Sequence, residues 1–160
     1  MVNSFSYSIS GDPVLKPGNE NQAEKKELDK DLSADNCILL VDDDEITFNI
    51  ISIWLKKIAA VDYAPNKEMA FKLIRKKQYP LIIMDINLKK GQNGIEILKE
   101  IRKMPEYAKI PVIACTAYAM TGDEEKLIAF GFNRYISKPF EKEKIVGVTK
   151  ELLKINGTKK

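Results

Sequence analysis

Five short apolar runs, each followed by a charged segment of helical period, constrain this chain more than any other feature. The runs are "CILLV" (37–41), "AVDYA" (60–64), "LIIM" (81–84), "PVIAC" (111–115) and "RYIS" (134–137). Short continuous apolar runs such as the first are the pattern of strands buried on both faces. Proline is tolerated at a first strand position, which suits Pro111. Between the runs lie segments with apolar residues every three or four positions. In "EITFNIISIWLKKI", Ile46, Ile50, Ile51, Trp54, Leu55 and Ile58 have helical spacing. "NKEMAFKLIRKKQ" opens at Asn66, a good helix cap, and "GIEILKEIRKM" sets Ile97, Leu98 and Ile101 on one face. "GDEEKLIAF" is closed by Gly131, a left-handed terminator, and "EKEKIVGVTKELLKI" turns Ile145, Val148, Leu152 and Ile155 inward. Gly147 weakens that last helix by about 1 kcal/mol relative to alanine. Strands alternating with helices through short loops pair in parallel, and right-handed crossovers cover both faces of the sheet. The fold class is therefore α/β, a doubly wound five-stranded parallel sheet.

Composition narrows the function classes. The chain has 160 residues, 44% hydrophobic and 31% charged, enough for one domain with a sizeable core and a little extra. Residues 1–35, rich in Gly, Pro, Asn and charge, are expected to be a disordered tail. Residues 36–156 form the domain, and 157–160 a frayed end. The net charge of +3 gives no reason to expect nucleic acid as a partner. Its basic clusters, "IRKKQ" and "LKK", read as solvated surface. No apolar run nears the roughly 20 residues of a membrane span, and "MVNSFSYSIS", without a basic or an apolar segment, is not expected to act as a signal peptide. Cys37 and Cys115 lie far apart in apolar surroundings and read as buried free thiols of a cytoplasmic protein. Histidine is absent, which removes His-based acid–base chemistry, His-activated nucleophiles and most zinc sites.

Open parallel sheets bind ligands at the C-terminal ends of their strands. Asp42, Asp43 and Asp44 follow the first run and Asp85 the third, with Asn87 two residues on. Thr116 follows the fourth run, and Lys138–Pro139 the fifth. Singly, each has a structural role: Asp44 as the cap of the next helix, Thr116 as a loop hydroxyl, Lys138 as a solvated lysine. Together they gather carboxylates, a hydroxyl and an ammonium in one crevice. Like charges so close disfavour ionisation, and a divalent ion offsets that cost. Hard oxygen ligands suit Mg²⁺. A carboxylate is also a nucleophile toward phosphoryl groups, with the metal and a lysine neutralising the phosphoryl oxygens.

These pieces resemble a known family. "ILLVDDDE", "LIIMDINL", "NGIEILKEIR", "IPVIACTAYAM" and "GFNRYISKPF" are similar, in order, to the receiver domain of bacterial two-component response regulators. Stand-alone receivers and the receiver modules of hybrid kinases are the nearest in pattern. The resemblance implies a flavodoxin-like (βα)5 fold with strand order 2-1-3-4-5. It makes Asp85 the phosphoacceptor, Asp42 and Asp43 the acidic pair for Mg²⁺, and Asn87 the donor of a backbone carbonyl to the metal. It makes Thr116 the switch hydroxyl, Lys138 its ionic partner at the phosphoryl group, and Tyr135 the aromatic that follows Thr116. Lys138–Pro139 is then a cis peptide. One departure stands out: Lys89 replaces the usual proline, in a loop one residue longer.

The implied function is that of a phosphoacceptor, not an enzyme. A histidine kinase or histidine phosphotransfer protein supplies phosphohistidine, and a conformational switch signals to a downstream protein through the fourth helix, fifth strand and fifth helix. Tyr118 and Asn87 are placed beside the path of the water that hydrolyses the acyl phosphate. Two alternatives stand beside this. One is a receiver module severed from a hybrid histidine kinase. The other is an aspartyl-nucleophile phosphohydrolase, which needs a second acid where this chain has Asn87.

Overall fold

The order of apolar runs becomes the order of strands. In the computed structural model, which describes residues 36–117 and 122–157, the strands are β1 (Cys37–Val41), β2 (Ala60–Ala64), β3 (Ile82–Asp85), β4 (Val112–Thr116) and β5 (Arg134–Ser137). All pairings are parallel, in the order β2-β1-β3-β4-β5. The helices are α1 (Glu45–Leu55), α2 (Lys67–Ile74), α3 (Gly94–Ile101), α4 (Asp123–Ala129) and α5 (Lys142–Gly157). Alternate side chains of each central strand enter opposite layers, as a period of two requires. Leu39 and Val41 pack with Ile74 of α2, Ile97 and Leu98 of α3 and Leu127 of α4. Ile38 and Leu40 pack with Ile51 and Leu55 of α1 and Ile145 and Leu152 of α5. The expected doubly wound sheet and its strand order are both present.

Helix starts follow side-chain chemistry. Asp44 caps α1, accepting from the Ile46 amide at 3.1 Å. Asn66 caps α2 through Met69 at 2.9 Å, and Asn93 caps α3 through Ile95 at 2.8 Å. After α4 the chain turns at Gly131, whose φ is +104°. The N-terminus of α3 is pressed against the end of β3: a Cβ on Gly94 would stand 2.3 Å from the Asp85 carbonyl oxygen. That close approach fixes the main chain of Asp85.

Several expectations need correction. β3 and β4 each lie one residue later than the apolar runs suggest, because the parallel register carries on to pair Asp85 with Cys115 and Thr116 with Ser137. Asp85 and Thr116 are therefore the last residues of their strands, not the residues after them. Of the apolar residues on α1, Ile51 and Leu55 are fully buried beside a buried Thr47, Trp54 packs half-buried against the same layer, and Ile58 is buried just beyond the helix. Ile46 is 68% exposed and Ile50 also lies at the surface. Each residue advances a helix by about 100°, so one sheet face cannot take both stripes. Cys37 is half-buried, not buried, because the edge of the core leaves it beside the Lys77 ammonium at 3.1 Å. Cys115 is buried as expected. On α5, Ile145, Leu152 and the unforeseen Thr149 are buried, while Val148 is only half-buried. The side chain of Ile155, Tyr118, and the tail through residue 35 lie outside the described residues.

Candidate phosphoacceptor site

Two last residues of strands and three residues that follow strands build the site. β1 delivers Asp42, completely buried, and Asp43 at the rim. β3 delivers Asp85 and β4 delivers Thr116, both buried. Lys138 follows β5, its main chain held by donation of its amide to the Thr116 carbonyl at 2.8 Å. The Lys138–Pro139 bond is cis.

The side chains converge as the sequence predicts. The Lys138 ammonium donates to Asp42 Oδ2 at 2.7 Å and to Asp85 Oδ2 at 2.8 Å. Asp42 Oδ1 accepts from the Asp44 amide at 2.9 Å, and Asp85 Oδ1 accepts from the Asn87 amide at 3.0 Å. One carboxylate oxygen from each of Asp42, Asp43 and Asp85 lies within 4.8 Å of the others. Asn87 Nδ2 donates to the Thr116 hydroxyl at 3.1 Å, which ties the β3 and β4 ends together. Beside this contact a cavity of about 230 Å³ opens between α3 and α4, lined by Asn87, Ile95, Thr116, Leu127 and Phe130 among others.

Electrostatics follow from burial. Desolvation pushes the Asp42 carboxyl above the ordinary carboxylate range, more than the Lys138 ammonium and the Asp44 amide pull it down. Burial alone would lower the Lys138 pKa, but hydrogen bonds and charge from Asp42 and Asp85 outweigh it and raise it. The lysine is thus firmly cationic, and the acids remain under-neutralised.

Tyr135 sits on β5 with its ring half-buried against the core, paired in register with Ala114. Its hydroxyl is buried and has no hydrogen-bond partner among the described residues. One contact was not foreseen. The Lys89 amide donates to Asp43 Oδ2 at 3.0 Å, and the Lys89 ammonium lies 3.4 Å from the same oxygen. Its sequence mark is the lysine in place of proline four residues after Asp85.

An acid cluster capped by a lysine, at the C-terminal edge of a 2-1-3-4-5 parallel sheet, is a family pattern. The sequence model of the response regulator receiver domain matches residues 38–150. The chain belongs to the receiver domain family. Receiver domains are signalling phosphoacceptors, not classical enzymes, and they work with histidine kinases and downstream targets. Among relatives, a probable transcriptional regulator, ycf29, of Porphyra purpurea is 38% identical over 117 residues, covering 72% of this chain and 56% of that protein. The chain thus spans about half the length of that relative. The polar-differentiation response regulator DivK of Brucella anthropi is 34% identical over 120 residues, covering 72% of this chain and 94% of DivK. Among solved structures, the receiver domain of sensor histidine kinase PA1611 from Pseudomonas aeruginosa PAO1 superposes with a TM-score of 0.66 at 28% identity, over 74% of this chain and 98% of that one. That receiver was crystallised with a magnesium ion coordinated in its active-site cleft.

Proposed function

We propose that this receiver accepts a phosphoryl group on Asp85 from a phosphohistidine donor and signals by a switch at Thr116 and Tyr135. The observation that carries the reading is the Asp85 carboxylate itself. It is held at one oxygen by the Lys138 ammonium and at the other by the Asn87 amide, beside two further acids. Such a carboxylate is pre-oriented, so little entropy remains to be lost on attack.

The donor set fits Mg²⁺. It is oxygen-only, and the buried Asp42 is incompletely neutralised by the one ammonium that touches it. Asp42, Asp43, Asp85 and the Asn87 carbonyl would hold the ion, Asp42 through its charge and position at the back of the crevice. When bound, Mg²⁺ supplies a divalent positive charge to the phosphoryl oxygens. The chain's own residues do the rest. An Asp85 oxygen attacks phosphorus; the P–N bond breaks, and its electron pair leaves with the imidazole nitrogen of the donor. The Lys138 ammonium exchanges its contact with Asp85 for a phosphoryl oxygen. The Thr116 hydroxyl leaves Asn87 and donates to another. Tyr135, whose hydroxyl has no hydrogen-bond partner to lose among the described residues, turns toward the space Thr116 vacates. The two arrangements differ in contacts to the phosphoryl group, and that difference biases the equilibrium between them.

The downstream contact in this reading is a protein docking on α4, β5 and α5. In support, Ile128 and Phe130 are each 45% exposed on and just after α4. A second reading, a receiver module of a larger hybrid kinase, is supported by the similarity to the PA1611 receiver; the length of the native transcript separates the two. The central test is incubation with acetyl phosphate and Mg²⁺, followed by intact mass. One added phosphoryl group is expected on the native protein and none on Asp85→Asn. Phosphate mapping to another side chain refutes the assignment.

A further inference from the structure

The contact between Lys89 and Asp43 bears on how the crevice takes up its metal, and its role rests on the proposed reading of that crevice as a Mg²⁺ site. Asp43 is the outermost of the three acids: its side chain is 14% exposed, against 1% for Asp42 and 8% for Asp85. The loop after β3 reaches it with both hydrogen-bond donors of one residue, the Lys89 amide and the Lys89 ammonium. A proline at this position has no amide proton and makes neither contact. The loop is shaped for the approach. Lys90 and Gly91 take positive φ of 59° and 72°, and the Leu88 amide closes onto the Gln92 carbonyl at 3.2 Å.

Charge decides the consequence. Asp42, Asp43 and Asp85 with Lys138 carry a formal charge of −2; Lys89 brings the cluster to −1. A divalent cation entering the crevice meets one more ammonium beside one of its ligands. We propose that Lys89 is a resident counter-charge on Asp43 that competes with Mg²⁺ and weakens metal uptake by the unphosphorylated protein. Because the Lys89 side chain is 77% exposed, solvent and salt screen it, so the effect is a few-fold rather than orders of magnitude.

Titration calorimetry of the full chain with Mg²⁺ alone tests this. Lys89→Gln keeps the amide and removes the charge. It is expected to bind Mg²⁺ about three-fold tighter at low ionic strength, with the gain shrinking as salt approaches roughly 0.5 M. Lys89→Arg keeps the charge and is expected to match the native affinity. Unchanged or weaker binding by Lys89→Gln overturns the proposal, as does Lys89→Arg behaving like Lys89→Gln. Asp43→Asn separates the two levels. If the native protein shows no Mg²⁺ uptake that this change abolishes, the metal site itself is refuted and the Lys89 role with it. If Asp43-dependent uptake is intact but insensitive to Lys89, only the role of Lys89 falls.

Discussion

Asp42 is a carboxylate with almost no water, held in place by one lysine and one amide. Its folded pKa stands above its unfolded value near 3.9. A group shifted that way binds protons more tightly in the folded state. Its contribution to stability is complete below the unfolded pKa and is lost as pH rises through the folded one. At neutral pH, without divalent cations, Asp42 is therefore a liability. Asp42→Asn is expected to raise stability by about 1 kcal/mol at pH 7, since Lys138 keeps Asp85 as a partner. In urea titrations the gain should fade as pH falls through the raised folded pKa, because the native carboxyl then takes up its own proton; a loss of stability at pH 7 contradicts the burial account. Tyr135 poses the opposite problem, a buried donor with no hydrogen-bond partner among the described residues. Removing it costs no hydrogen bond in the resting state. Tyr135→Phe is expected to leave stability unchanged or raise it by up to about 1 kcal/mol. A drop of that size in thermal denaturation shows that the hydroxyl is satisfied after all.

Elements were legible in the sequence where one physical constraint acted alone. Apolar continuity in Ile38–Val41 left no alternative to a buried strand, and Asn66 and Asp44 stood at helix starts with the required chemistry. The convergence of the acids, hydroxyl and lysine in one crevice was legible for the same reason, because they stand at or just after strand ends. α1 was less legible, since Ile46, Ile50 and Ile53 make a second apolar stripe that periodicity cannot rank against Ile51 and Leu55. A polar Thr47 in the buried stripe, satisfied by Asp44 Oδ2 at 3.0 Å, hides the correct one. The contact of Lys89 with Asp43 spans 46 positions; the sequence marks Lys89 as a departure but not the partner it reaches. Two glycines in helices show how context decides a like substitution. Gly94 has no room, its would-be Cβ meeting the Asp85 carbonyl. Gly94→Ala is expected to destabilise by about 2 kcal/mol and, on the proposed reading, to slow phosphorylation, by forcing α3 off the end of β3. Gly147 on α5 is exposed, with nothing within 4 Å of an added Cβ. Gly147→Ala is expected to stabilise by about 1 kcal/mol with phosphorylation unchanged. Chemical denaturation of the pair, with acetyl phosphate labelling of each, checks both signs.

The whole molecule joins the site to the core through two enclosed strands. β1 and β3 lie between other strands on both sides, and their last residues or the next ones carry Asp42, Asp43 and Asp85. A cation held by those acids would tie two central strands together, and its binding energy would then oppose unfolding of the sheet and not merely fraying of a loop. Mg²⁺ at a hundred-fold excess over its dissociation constant is expected to add about 2.7 kcal/mol to stability. For a domain of this size that is a rise in Tm of roughly ten degrees. Chelation by EDTA should remove the whole gain, and Asp43→Asn should prevent it. The gain should also fall as pH is lowered, because burial makes Asp42 take up a proton sooner than an ordinary carboxyl and protons then compete with the metal. Hydrogen exchange distinguishes this coupling from a local effect. Amides of Leu40, Ile83 and Ala114 should slow on Mg²⁺ addition by as much as the global stability increases. Slowing confined to the loop between β3 and α3 means that the ion holds the rim alone and leaves the two central strands uncoupled.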